Sequence, residues 1–144
     1  MMNIFWGNTE CSIDAPRNVA CEQGFIPIYS VDARNEKHVS EAVKFAGQHN
    51  LKSVVKNTGH DFLGRSSGEG SFSIWTHHLK GINFTDSFVG TGCSDDKTSQ
   101  SAVTVGAAEL WIDVYKAAEQ HNATVVGGAA PSVGAAGGWV QGGG

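Results

Sequence analysis

The chain has 144 residues, 40% of them hydrophobic and 17% charged, with a net charge of −4. That length sets a prior of one domain with a modest core. An acidic balance without a basic run argues against a nucleic-acid partner. No stretch of about 18 apolar residues occurs, so no membrane span is expected. Residues 1–11 lack the basic n-region and apolar core of a signal peptide.

In chain order, residues 1–24 read as irregular. Residues 26–31 read as a strand, followed by Asn35 as a helix cap. Val39, Ala42, Val43 and Ala46 repeat at i, i+3, i+4 and i+7, predicting a helix over 36–49. Further strands are expected at 52–56, 72–75, 102–106 and 124–126, and a second helix over 109–121, marked by Leu110, Val114, Ala117 and Ala118. Glycine-bearing loops fall at 57–70 and 127–144. The segment Lys44–Asn50 is echoed by Lys116–Asn122, and both end in Gln-His-Asn. The pattern implies an α+β fold in which helices cover a mixed sheet. The two helix–loop units could converge on one anionic ligand; chance similarity of two helix ends is the alternative.

Glycine is over-represented, with 19 residues, eight of them in 127–144. Consecutive amides in such loops form concave nests for phosphate oxygens. Gly59, Gly64, Gly68 and Gly70 make one such loop, and 127–144 makes the other. Neither fits a P-loop or a dinucleotide Gly-x-Gly-x-x-Gly fingerprint. The 127–144 run is read as a loop cut short, with amides left unpaired without a ligand. Of the three cysteines, Cys11 and Cys21 could form a short disulfide, and Cys93 lies in a polar stretch. Sequons at Asn83 and Asn122 would permit glycosylation in a secretory pathway.

The stretch Val54-Val55-Lys56-Asn57-Thr58-Gly59-His60-Asp61-Phe62-Leu63-Gly64-Arg65-Ser66 resembles the flavin-attachment loop of the vanillyl-alcohol-oxidase superfamily. The similarity is closest to fungal enzymes akin to berberine bridge enzyme. Ser73–Leu79, Val103–Ala107 and Val126–Gly144 follow in the order of that family's motifs. The resemblance implies a PCMH-type FAD-binding domain over 25–144, incomplete at its C-terminus, with a substrate domain still to follow. It implies FAD as cofactor, hydride transfer from a small-molecule substrate to flavin N5, and oxygen as acceptor. It also makes a secretory location possible, and leaves the oligomeric state undetermined.

His60 takes the position that carries FAD through an 8α-histidyl bond. A neutral imidazole is a nucleophile near physiological pH and suits that role. The same resemblance assigns cofactor binding to Asn57, Thr58, Gly59, Asp61, Gly64, Arg65 and Ser66 in the first loop. In the second it assigns Ala130, Pro131, Val133, Gly134, Gly137, Gly138, Gly142 and Gly143. Doubly tethered relatives place a cysteine where this chain has Ala130, so a single tether is implied. His77 and His78 could lie near the flavin. His38, His49 and His121 read as surface histidines on or at the ends of helices. The catalytic base is expected in the substrate domain, so no catalytic residue is assigned, and no metal is expected. Two alternatives are a noncovalent flavoenzyme of the same fold and a fragment that binds nothing.

Overall fold

A computed structural model describes residues 14–20, 24–93 and 100–144. Most of the irregular 1–24 segment, with Cys11 and Cys21, lies outside them. The chain divides into two compact units, 1–78 and 79–144.

The first unit holds β1 (Tyr29–Asp32), α1 (Glu36–Gln48), β2 (Ser53–Lys56) and β3 (Phe72–Trp75). The three strands form a parallel sheet in the order β1-β3-β2. Helix α1 begins where expected. Asn35 is extended, and its side chain accepts the His38 amide at 2.9 Å. Ala42 and Ala46 are small enough to let the helix lie close against Ala33, Phe72 and Ile74, with Val31 and Val39 packed alongside. Val43 departs from the expected stripe and stays 56% exposed.

The helix then stops through backbone geometry. Asn50 adopts φ 51, and the Leu51 amide reaches back to the Ala46 carbonyl at 2.9 Å. The second unit repeats the device: Asn122 has φ 50, and the Ala123 amide reaches the Ala118 carbonyl at 2.9 Å. Asn tolerates this left-handed turn better than most non-glycine residues. The repeated Gln-His-Asn is therefore a repeated helix terminator.

The second unit pairs β4 (Ile82–Phe88) antiparallel to β5 (Gln100–Val105) and adds α2 (Trp111–Gln120). A π-type helical turn, Ala135–Val140, follows and is broken at Gly137. Trp111, Val114 and Ala135 form its core, lined by Ile82, Val105, Tyr115, Val125, Val133 and Trp139.

The architecture is α+β, with three corrections to the expected layout. The sheet is not mixed: parallel and antiparallel strands form separate sheets. Strand β4 was not expected, because Asn83, Thr85, Asp86 and Ser87 mask its alternating Ile82 and Phe84. The strand expected at 124–126 does not form. Val125 packs into the aromatic core instead, and Val126 is 90% exposed. β-branched residues make a strand only beside a pairing edge. Among the described residues no helix is long and apolar enough to cross a membrane.

Glu109 pins the second unit together. Its buried carboxylate accepts the Gly81 amide at 2.6 Å and lies 3.4 Å from Lys80 Nζ. Its carbonyl accepts the Ala135 amide at 2.8 Å. Glu109→Ala leaves the Gly81 donor unmatched. It should lower the unfolding free energy by about 1–3 kcal/mol, measured by urea titration of the full-length protein. Lys116→Ala, on an exposed helix face, should stay within about 0.5 kcal/mol.

Candidate functional site

The loop 57–70 springs from the C-terminal end of β2, the end at which parallel sheets meet ligands. Its root is fixed by Asn57, which is buried. The Asn57 carbonyl accepts Trp75 Nε1–H at 3.1 Å, and its Oδ1 lies 3.4 Å from His77 Nδ1. His77 stacks on Trp75 with centroids 5.4 Å apart, and His78 meets the same ring edge-on. His78 Nε2 lies 3.8 Å from Asp32. His77 and His78 are thus packed on the end of β3.

Gly59 follows with φ 84, and a Cβ there would stand 2.9 Å from Lys56 Cε. The positive φ favours glycine, while the lysine stem is flexible enough to move aside. The lysine stem lies along the loop, and its ammonium has no carboxylate partner among the described residues. Beyond exposed His60, Asp61 closes the loop on itself. Its carboxylate accepts the Arg65 amide at 2.7 Å and Arg65 Nε at 2.9 Å, and also bonds the Leu63 amide. Gly64 turns with φ 73 and donates to the Asp61 carbonyl. Ser66 is half-buried beside it. Asn57, Asp61, Gly64 and Arg65 therefore brace the loop. The amides of Thr58 and Gly59 meet no acceptor among the described residues.

In the second unit, Leu110 offers α2 no side-chain cap. Loop carbonyls do the capping: the Trp111 amide donates to Val133 and the Ile112 amide to Pro131, both at 3.1 Å. The Tyr115 hydroxyl donates to the Gly128 carbonyl at 2.8 Å. Three carbonyls are committed to one helix, and the amides of Gly127, Gly128, Ala129 and Ala130 meet no acceptor among the described residues.

The family of the FAD binding domain matches residues 27–144. The chain belongs to that family. An uncharacterized FAD-linked oxidoreductase of Arthroderma benhamiae is 52% identical over 135 residues, covering 94% of this chain and 24% of the relative. The flavin-dependent oxygenase ucdF of Aspergillus ustus is 44% identical over 138 residues, covering 96% of this chain and 25% of that one. The crystal structure of the VAO-type flavoprotein MtVAO713 from Myceliophthora thermophila superposes with a TM-score of 0.73 at 36% identity, over 83% of this chain and 21% of the other. The chain spans about a quarter of the length of the curated relatives it matches. Its fold is that of a VAO-type flavoprotein domain, and its cofactor is FAD.

The donor set of this FAD-binding domain fits that cofactor. In each unit taken by itself, amides that meet no acceptor among the described residues suit the electronegative oxygens of a dinucleotide, and in the first unit Lys56 adds a positive charge with no carboxylate partner among those residues. Among the described residues no cluster of three potential metal ligands occurs. Ala130 and Pro131 are exposed, and Cys93 is an exposed free thiol. His38, His49 and His121 are exposed, the last stacked on Phe84.

The expectation of unpaired amides across 127–144 holds only at its start. From Val133 onward most bond within the unit, including Gly137 to Ala107 at 3.1 Å and Gly142 to Gly138 at 2.9 Å. Gly134 bridges Leu110, and Val133 joins the aromatic core. Gly138 has room for a Cβ at ordinary contact distance, and Gly143 is exposed with φ 89. Trp111 and Tyr115, which support the loop, were missed as site residues. Their spacing of four puts both aromatic rings on one face of α2, and a Gly-Gly pair follows the helix; that combination is the available signal.

The Arg65 guanidinium holds the Asp61 carboxyl below its ordinary value, with backbone amides adding to the effect. A depressed pKa stabilises above the unfolded value, and the contribution is lost as pH falls through the folded one. At pH 7, Asp61→Ala should therefore speed hydrogen exchange at the Leu63 and Arg65 amides severalfold, with the β3 amides unchanged. Mutant and wild type should converge well below about pH 4.

Proposed function

We propose that this chain is the FAD-binding portion of an oxidase in which His60 carries the flavin covalently at its 8α-carbon. The observation behind this reading is the placement of His60. It is an exposed imidazole at the crest of a loop whose neighbouring polar groups, Asn57, Asp61 and Arg65, are occupied in bracing it. Each unit by itself offers amides suited to FAD oxygens: those of Thr58 and Gly59 in the first, and those of 127–130 in the second. Bound FAD supplies the redox chemistry, accepting hydride at N5 and returning electrons to oxygen. The substrate is a small organic molecule, and the catalytic base belongs to a substrate domain outside this chain. Residues 25–144 form one FAD-binding domain, with the remaining assigned loop positions lining the cofactor. Ala130 offers no sulfur, so the tether is single.

Acid precipitation of the full-length holoprotein tests this. Flavin should remain in the pellet, and peptide mass mapping should find it on the His60 peptide alone. His60→Ala should move all flavin to the supernatant. The imidazole withdraws electrons from the ring, so the untethered variant should also show a lower flavin potential and slower reduction by substrate. Wild-type flavin released wholly by acid would instead identify a noncovalent flavoenzyme of the same fold.

A further inference from the structure

In most helices the free amides of the first turn are the natural seat for an anion. Here α2 cannot serve that way. Its Trp111, Ile112 and Asp113 amides donate to Val133, Pro131 and Leu110 at 3.0–3.1 Å. The helix spends its donors on loop carbonyls.

The stretch just before those carbonyls is fixed by side chains. Tyr115 Oη–H holds the Gly128 carbonyl at 2.8 Å. Gly127 lies on the Trp111 ring so closely that a Cβ would stand 2.3 Å from Cη2. A Cβ on Gly128 would stand 2.9 Å from Trp139 Cδ1 and 3.0 Å from Trp111 Nε1. Trp111 stacks with Tyr115 at 5.3 Å and meets Trp139 edge-on at 5.2 Å. Trp111 is 95% buried, as its 5% relative exposure shows, and its Nε1 is buried without a partner among the described residues. The ring is therefore held by contact rather than by a hydrogen bond of its own. The tyrosine hydroxyl is the directional element in this cluster.

A peptide group carries its N–H opposite its C=O. Turning the Gly128 carbonyl toward the helix turns the amide of the same peptide, that of Ala129, away from it. We infer that Tyr115 is a positioning residue for FAD: it acts through the Gly128 carbonyl to aim the Ala129 amide, at the centre of the 127–130 stretch, at the cofactor. This rests on the proposed use of the 127–130 amides, but not on the His60 tether.

The test uses full-length protein in the His60→Ala background, titrated with FAD and followed by flavin fluorescence. Tyr115→Phe keeps the ring and removes one hydrogen bond, which should raise the Kd for FAD about fivefold. Val114→Ala, in the core of the same unit, is the control for general destabilisation. It should lower the melting temperature at least as much yet leave the Kd within about twofold. In the His60 background, Tyr115→Phe should lower the covalent flavin-to-protein ratio after expression. An unchanged Kd and ratio in Tyr115→Phe, or an equal loss in Val114→Ala, would overturn the proposal. Failure of the tether itself registers separately, as acid-released flavin in protein with both Tyr115 and His60 intact.

Discussion

A peptide unit presents its donor and its acceptor in opposite directions, and the second unit is organised by that constraint. Once α2 draws in the carbonyls of Pro131 and Val133, and Tyr115 draws in that of Gly128, the loop has a chemical polarity. These acceptors face the helix, the Ala129 amide points away from it, and the donors of 127–130 meet no acceptor among the described residues. No charged side chain is needed to make the loop attractive to electronegative oxygen. The first unit reaches a similar result by a different route: a buried Asn57 root and a carboxylate–guanidinium clasp hold the backbone while the Thr58 and Gly59 amides meet no acceptor among the described residues.

The glycines divide into two physical kinds that sequence alone does not separate. Gly59 and Gly64 take backbone angles that a side chain would strain. Gly127, Gly128 and Gly137 have ordinary φ values and lack room instead. The first two lie against tryptophan rings, and a Cβ on Gly137 would stand 2.2 Å from the Ala107 carbonyl oxygen. A glycine-rich stretch therefore records close packing as readily as contact with a ligand.

Both helices were legible from periodicity, and the strands at 52–56, 72–75 and 102–106 from local composition, but not the separation into a parallel and an antiparallel sheet. Local pattern carries that information: Ala42 and Ala46 repeat on one face, and Asn35 and Asn50 mark the ends of α1. Strand β4 was hidden because its alternation is diluted by polar residues on an exposed hairpin. The false strand at 124–126 came from propensity without knowledge of an available edge. The family and its FAD were legible through a resemblance carried by the contiguous residues 54–66. Tyr115 and Glu109 were not, because each acts on backbone groups distant in sequence, and the identity of those groups is not written beside them.

The Asp61–Arg65 clasp closes within five residues. The bonds that shape the crest of the first loop are thus contained in a single short word of sequence. Its conformation is set locally, by residues that adjoin one another in the chain, and does not depend on partners brought in from elsewhere in the fold. A change elsewhere in the unit can therefore leave the crest of this loop as it is, whereas a change at Asp61 or Arg65 cannot.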